Sequence, residues 1–300
     1  VFGADVVSRM EASLEGKADK LAAIVREAVS HLLTELAEHA GERTEAIETV
    51  IITGNTSMLY FLTQKDPRCL SRAPFEADEL FGWWTTGEAL DLSCRKADVY
   101  LPRCMSAFVG ADITTAILGS GLTETDCIPG TDGSRKEAAA AIDPNVSCRE
   151  TDGVSATHSG KSRMMVDVGT NGEIVLFHKE RLICCATAAG PAFEGAGLSC
   201  GMRGVAGAID HVSWENGSWK VHVIGDREAS TAEGICGSGV IDGVAGLLES
   251  GLLEDTGYLE EDVCFAGNVG LTAADIREVQ LAKGAIRAGM ETLLAEEKMD

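Results

Sequence analysis

Apolar residues recur at helical spacing over residues 18–40, where Leu21, Ile24, Val25, Ala28, Leu32 and Leu36 form one stripe before Gly41. The run Thr49-Val50-Ile51-Ile52-Thr53 reads as a short buried strand. Ser57 is placed to cap a brief helix from Met58 to about Gln64. From Pro67 to Ala97 no period is visible, and this segment reads as irregular. Val99 to Pro102 looks like a strand end, and Ala107 to Leu118 a helix of small residues. Between 122 and 162 Thr, Asp, Ser, Gly and Lys dominate and apolar residues are scattered singly, which predicts a flexible insertion or linker between two organised parts, 1–121 and 163–300. Beyond it, Met164–Val168, Ile174–Phe177 and Arg181–Ala186 read as successive strands. Asn216-Gly217 between two tryptophans signals a type I′ hairpin, because both residues accept positive φ. Helices are predicted at about Ser238–Glu249 and Ala273–Glu297, the latter opened by Thr272 and Asp275 in a capping-box pattern.

Composition narrows the class. Aromatics make up 5% and glycine 34 of 300 residues, which favours closely packed α/β layers with tight turns over a β-sandwich. The formal charge of −22 argues against nucleic acid and anionic membranes as general partners. An anionic ligand would therefore need a local site of backbone N–H groups, a helix N-terminus or a metal ion. No stretch approaches the ~20 apolar residues of a membrane span, and Val1–Asp5 has no signal-peptide pattern. The ten cysteines contain no C-x-x-C pair; Cys184 and Cys185 sit in an apolar run and read as small core residues. Reduced thiols in a cytoplasmic protein are the expectation.

The candidate chemistry is concentrated in three glycine-rich segments. In Asp167-Val168-Gly169-Thr170-Asn171-Gly172-Glu173 two glycines let backbone N–H groups approach a phosphate, Thr170 and Asn171 add short side-chain donors, and Asp167 at a strand end is placed to hold Mg²⁺ through water. An ordinary glycine-rich hairpin is the competing reading. Ala188 to Gly197, containing Glu194 and Gly195, is the second segment, and Ile235 to Asp242, with Gly237-Ser238-Gly239 at a helix start, the third. Each alone reads more readily as a packing or capping device, and it is their occurrence together at element boundaries that points to a ligand. Lys283 falls within the stripe Ile276, Val279, Ile286, Met290, Leu293 of the last helix, either snorkelling or facing a nucleotide.

The order of strand, phosphate-type turn and return strand resembles the actin-like ATPase superfamily of sugar kinases, heat-shock chaperones and actin. Two ribonuclease-H-like lobes face each other in that α/β fold, here a partial first lobe and most of the second, with Asp167–Glu173 as the second-lobe phosphate hairpin. The wording is closer still to the reductive activators of corrinoid proteins. The runs Gly3–Arg9, Ile52–Met58, Phe108–Asp112, Val166–Glu173, Ala188–Met202, Ile235–Asp242 and Asp275–Gly289 carry this resemblance. The start of the third glycine segment, Cys236-Gly237-Ser238-Gly239, also resembles the ATP-dependent activators of acyl-CoA dehydratases and reductases.

The resemblance implies ATP and Mg²⁺ as cofactors, with Asp167 as the magnesium-side carboxylate and Asp112 as a candidate for positioning the attacking water. It implies Gly169, Thr170, Asn171 and Gly172 on phosphate, and Glu194, Gly195, Gly237, Ser238, Gly239 and Lys283 nearer ribose and base. ATP would close the lobes and so change affinity for the partner, and its hydrolysis would drive an electron from an iron–sulfur cluster to Co(II) of a corrinoid protein or corrinoid-dependent methyltransferase; a homodimer is left open. The family's 2Fe–2S domain would lie upstream, and the first-lobe phosphate hairpin and the adenosine strand-loop are not found in the sequence, which reads as a fragment. A small-molecule phosphotransferase and a non-catalytic interaction module of the same fold remain alternatives.

Overall fold

The computed structural model describes residues 2, 6–123, 162–225 and 227–299. The chain forms two compact units, Val1–Arg163 and Met164–Asp300. The stretch read as an insertion, 122–162, and the start of the Gly3–Arg9 run lie largely outside the described residues.

The first unit opens with α1 (Val6–Ala12), one π-helical turn (Ser13–Lys17) and α2 (Ala18–His39). Gly16, at φ 86°, breaks the helix inside the π turn. Leu21, Ala22 and Ala37 of α2 are buried, and Val25, Val29 and Leu33 pack on the core beneath. A three-stranded sheet follows in the order β1 (Thr49–Ile51), β3 (Asp98–Leu101), β2 (Trp83–Thr86), parallel between β1 and β3 and antiparallel between β2 and β3. β1 is not the buried strand its sequence suggested: Ile51 is 61% exposed, and its burial pattern has no closed face. Among the described residues it lies at the sheet edge with β3 as its one neighbour, so apolarity alone misstated its position.

The segment read as irregular holds α4 (Arg68–Ser71) and β2. Four-residue elements carry too few positions to show a period, and β2 is held by its register with β3, which pairs Trp84 with Tyr100. α3 (Thr56–Thr63) begins one residue before the proposed cap Ser57. Asn55 is the cap, accepting from both the N–H (3.1 Å) and hydroxyl (2.9 Å) of Ser57. α5 (Ala111–Ser120) starts four residues later than its apolar run, because Ser106 Oγ takes the N–H groups of Phe108 and Val109 and folds them into a turn.

In the second unit β4 (Arg163–Val168), β5 (Gly172–His178) and β6 (Arg181–Thr187) form one sheet in that order. Ile174, Val175 and Leu176 of β5 are buried; Ile174 and Leu176 share a cluster with Leu293 of α7 (Ala273–Glu296). β7 (Ala208–Glu215) lies between β8 (Ser218–Val223) and β9 (Gly234–Ile235) in a second sheet, covered by α6 (Gly237–Glu249). Asn216 (φ 51°) and Gly217 (φ 79°) make the β7–β8 turn with both residues left-handed, as the sequence predicts. β10 (Val263–Ala266) and β11 (Val269–Leu271) form a small hairpin ahead of α7.

The capping box at α7 is present: Thr272 accepts from Asp275 N–H, and Asp275 Oδ2 accepts from Thr272 N–H at 2.9 Å. Asp275 also accepts from the N–H (2.8 Å) and hydroxyl (2.6 Å) of Ser199. Burial pushes its carboxyl up, but these three donors and the Thr272 hydroxyl (2.9 Å) together outweigh burial and hold it below the usual carboxylate range. The apolar stripe of α7 runs through Ala282, not Lys283. Ala282 is fully buried while Lys283 is exposed, so the apparent cation within an apolar face disappears.

Candidate functional site

Asp167 is the penultimate residue of β4 and is exposed, and Gly169-Thr170-Asn171 form the turn into β5. The turn closes on itself, Gly169 N–H donating to Asn171 C=O at 3.0 Å. Gly172 is buried at the base: a Cβ there would meet Thr187 Oγ1 at 2.8 Å and Ile286 of α7 at 2.9 Å. One glycine is therefore demanded by packing. At Gly169 a Cβ would meet only Glu194 Oε1 at 3.3 Å and Asn171 O at 3.7 Å, so packing demands little there.

Glu194 joins this turn to the second glycine-rich segment. Its Oε1 accepts from Thr170 N–H at 3.1 Å and its Oε2 from Thr170 Oγ–H at 2.5 Å, while Gly190 N–H donates to Thr170 C=O at 2.9 Å. Glu194 ends a 3₁₀ turn (Pro191–Glu194) that Gly195 closes at φ 74°. Gly195 is fixed by packing, since a Cβ would fall 2.1 Å from Met202 O. Two donors of the turn thus converge on one anionic group, which is the demand a phosphate oxygen pair makes.

The third segment is built differently. Cys236 occupies the N-cap of α6 with no side-chain cap, and Ser238 Oγ–H donates to Asp210 C=O at 2.9 Å. A Cβ at Gly237 would lie 1.8 Å from Phe193 O, and one at Gly239 2.4 Å from Ile209 O. Both glycines let α6 begin against backbone. Lys283 makes no hydrogen bond or ion pair among the described residues.

Asp112 belongs to the first unit. It is half-buried in the first turn of α5, and its Oδ1 accepts from Ile113 N–H at 2.9 Å. Gly110 before it packs so closely on Gly54 O that a Cβ would come within 2.6 Å. Cys184 and Cys185 are half-buried, and burial pushes both thiols up, so they are protonated rather than reactive. No group of three or more metal-ligating side chains is present among the described residues.

Sequence reading missed one cluster. His211 Nδ1 lies 2.9 Å from Asp242 Oδ2, His222 Nδ1 lies 2.5 Å from Asp210 Oδ1, and the two rings are 6.4 Å apart across β7 and β8. The signal was available: counting outward from the Asn216-Gly217 turn sets His211 opposite His222. The carboxylate of Asp242 comes from α6 and no local pattern announces it.

Comparison with known proteins decides the family. Residues 161–300 match the C-terminal ASKHA domain of RACo, and residues 1–125 match the RACo middle region. The chain belongs to the RACo family. It is 30% identical over 96% of its length to the corrinoid activation enzyme RamQ of Eubacterium limosum, covering 47% of that protein. It is 36% identical over 44% of its length to the [Co(II) methylated amine-specific corrinoid protein] reductase of Methanosarcina barkeri, covering 28% of it. A solved reductive activator for a corrinoid iron–sulfur protein superposes on the whole chain with a TM-score of 0.77 at 30% identity, and the chain covers 46% of it. The chain thus spans about half the length or less of these relatives. The RACo match makes the fold actin-like, in agreement with the resemblance read from the motifs.

Proposed function

We propose that this chain is the ATP-binding and ATP-hydrolysing part of a reductive activator that drives an electron from an iron–sulfur cluster to the Co(II) state of a corrinoid protein. The observation that carries the nucleotide side is the convergence of the Thr170 N–H and hydroxyl on the Glu194 carboxylate beside the exposed Asp167. These donors already hold an anionic oxygen pair, and the donor set fits phosphate and a hydrated Mg²⁺.

Bound ATP supplies the phosphoanhydride whose hydrolysis drives the electron transfer. The protein's share is binding and positioning. Gly169, Thr170 and Asn171 give N–H and side-chain donors to phosphate, and Gly172 anchors the turn on α7. Asp167 would hold a hydrated Mg²⁺ beside the phosphates. The Glu194 carboxylate occupies the Thr170 donors that phosphate would take, so Glu194 would have to yield them and would then be free to serve the ribose side. On the ribose and base side Gly195, Gly237 and Gly239 would serve by letting backbone pack on backbone, Ser238 and Lys283 would lie nearest the ligand, and Asp112 would position water. The relatives' printed roles support a corrinoid protein or corrinoid-dependent methyltransferase as partner, with the 2Fe–2S cluster supplied by a separate domain. No helix among the described residues is long and apolar enough to cross a membrane, and we place the activity in the cytoplasm.

Titration calorimetry with Mg-ATP tests the site. Wild type should bind, Thr170→Ala should bind roughly tenfold more weakly, and Asp167→Asn should lose the magnesium dependence. Equal binding by wild type and both variants would remove the hairpin from the site. ADP release that depends on an added sugar or organic acid, and not on a Co(II) corrinoid protein, would favour the phosphotransferase.

A further inference from the structure

The chain carries 47 acidic against 25 basic residues, yet Lys65, Arg68 and Arg72 fall within eight positions. In the first unit these three line one concavity of about 480 Å³, together with Ser13, Leu14, Gly16, Ala18, Gln64, Asp66 and Pro67. One wall is the π turn that Gly16 kinks, so the break between α1 and α2 shapes the cavity. The other wall is the α3–α4 connection and the end of α4.

The three cations are differently committed. Arg68 is taken by Asp66, its Nε donating at 2.7 Å, and Lys65 Nζ lies 3.2 Å from Glu79. Arg72 is exposed, and its guanidinium makes no hydrogen bond or ion pair among the described residues. Asp66 is held below the usual carboxylate range by its hydrogen bonds from Arg68 and, more weakly, by the charge of Arg72, so its own charge is already answered. The nearby Asp19 accepts from Gln64 at 3.3 Å. A guanidinium fork with no hydrogen-bonded partner among the described residues, with a second guanidinium and an ammonium lining the same hollow, outweighs the one carboxylate there, Asp66.

We propose that this cavity binds the phosphate group of a small ligand, at a site separate from the nucleotide hairpin. Arg72 supplies the fork, Arg68 and Lys65 supply charge, and Ser13 and Gln64 supply neutral hydrogen-bonding groups. Phosphate is favoured over a nucleobase as the recognised group because no aromatic side chain lines the hollow. A concave site of this volume suits a small molecule better than a protein face.

The test is calorimetry of the 300-residue chain with inorganic phosphate and, separately, with glycerol 3-phosphate, in a low-salt chloride buffer. Both probes should bind wild type. Arg72→Gln should weaken them roughly tenfold or more, while Arg72→Lys, which keeps charge and loses the fork, should weaken them less. Thr170→Ala should leave phosphate binding in this cavity unchanged, and R72Q should leave Mg-ATP binding unchanged. Tighter binding of glycerol 3-phosphate points to a phosphorylated metabolite, and equal binding to phosphate itself. Absence of phosphate binding by wild type overturns the proposal. So does loss of it in T170A with R72Q unaffected, which assigns the signal to the hairpin. A R72Q thermal midpoint equal to wild type separates a lost ligand contact from misfolding.

Discussion

The turn at Gly169–Gly172 and the start of α6 at Gly237–Gly239 look alike as sequence and are opposite as structure. In the turn, Gly169 faces the movable end of the Glu194 side chain at 3.3 Å, and its neighbour Thr170 spends two donors on that carboxylate. At α6 each glycine is pressed against a backbone carbonyl, Phe193 O for Gly237 and Ile209 O for Gly239. Glycine content therefore marks close approach, and only the third dimension says whether the approaching body is the protein itself or room left for a ligand.

Substitutions can break that contrast, and the largest effect is expected at Gly237. Gly237→Ala places a Cβ 1.8 Å from Phe193 O, a clash with backbone that no rotamer relieves. About 3 kcal/mol of destabilisation is expected, a fall of roughly 10 °C in the thermal midpoint. A midpoint within error of wild type would mean that α6 starts elsewhere.

A smaller loss is expected on the packed side at Asp275, which ties α7 to Ser199. Asp275→Ala removes the capping box and the Ser199 bonds together, for about 2 kcal/mol at neutral pH. The sign of the pH dependence follows from the lowered carboxyl. Its contribution is complete above the unfolded-state pKa and is lost as pH falls through the lower folded-state one. Denaturant titrations of wild type and D275A should therefore converge in acid; a gap that stays constant would show that the charge contributes nothing.

The smallest stability effect, within about 0.5 kcal/mol, is expected for Gly169→Ala, whose Cβ meets only a side-chain oxygen at 3.3 Å and a carbonyl at 3.7 Å. Its consequence should appear in Mg-ATP affinity, because the methyl crowds the place where phosphate approaches. If G169A unfolds as readily as G237A, the two regions are alike after all.

The sequence by itself determined what neighbouring residues decide. Asn216-Gly217 is a two-residue turn because both residues accept positive φ, and Thr272 with Asp275 caps α7 because their groups lie three positions apart. The run from Asp167 to Glu173 reads as strand, turn and strand for the same local reason. Short elements failed: β2 has four residues, and the α3 cap is Asn55 because its oxygen, not that of Ser57, faces the free N–H. Lys283 was misplaced in its stripe because a 3.6-residue period gave neighbouring Ala282 an equal claim to the core.

Tertiary structure decided which distant groups meet. Glu194 reaches Thr170 across 24 positions, Ser199 reaches Asp275 across 76, and Asp242 reaches His211 across 31. The π turn at Ser13–Lys17 meets Arg72 only after α2 and α3 have packed. Local propensity carries no information about such pairs, since their partners are chosen by strand register and helix packing rather than by spacing along the chain.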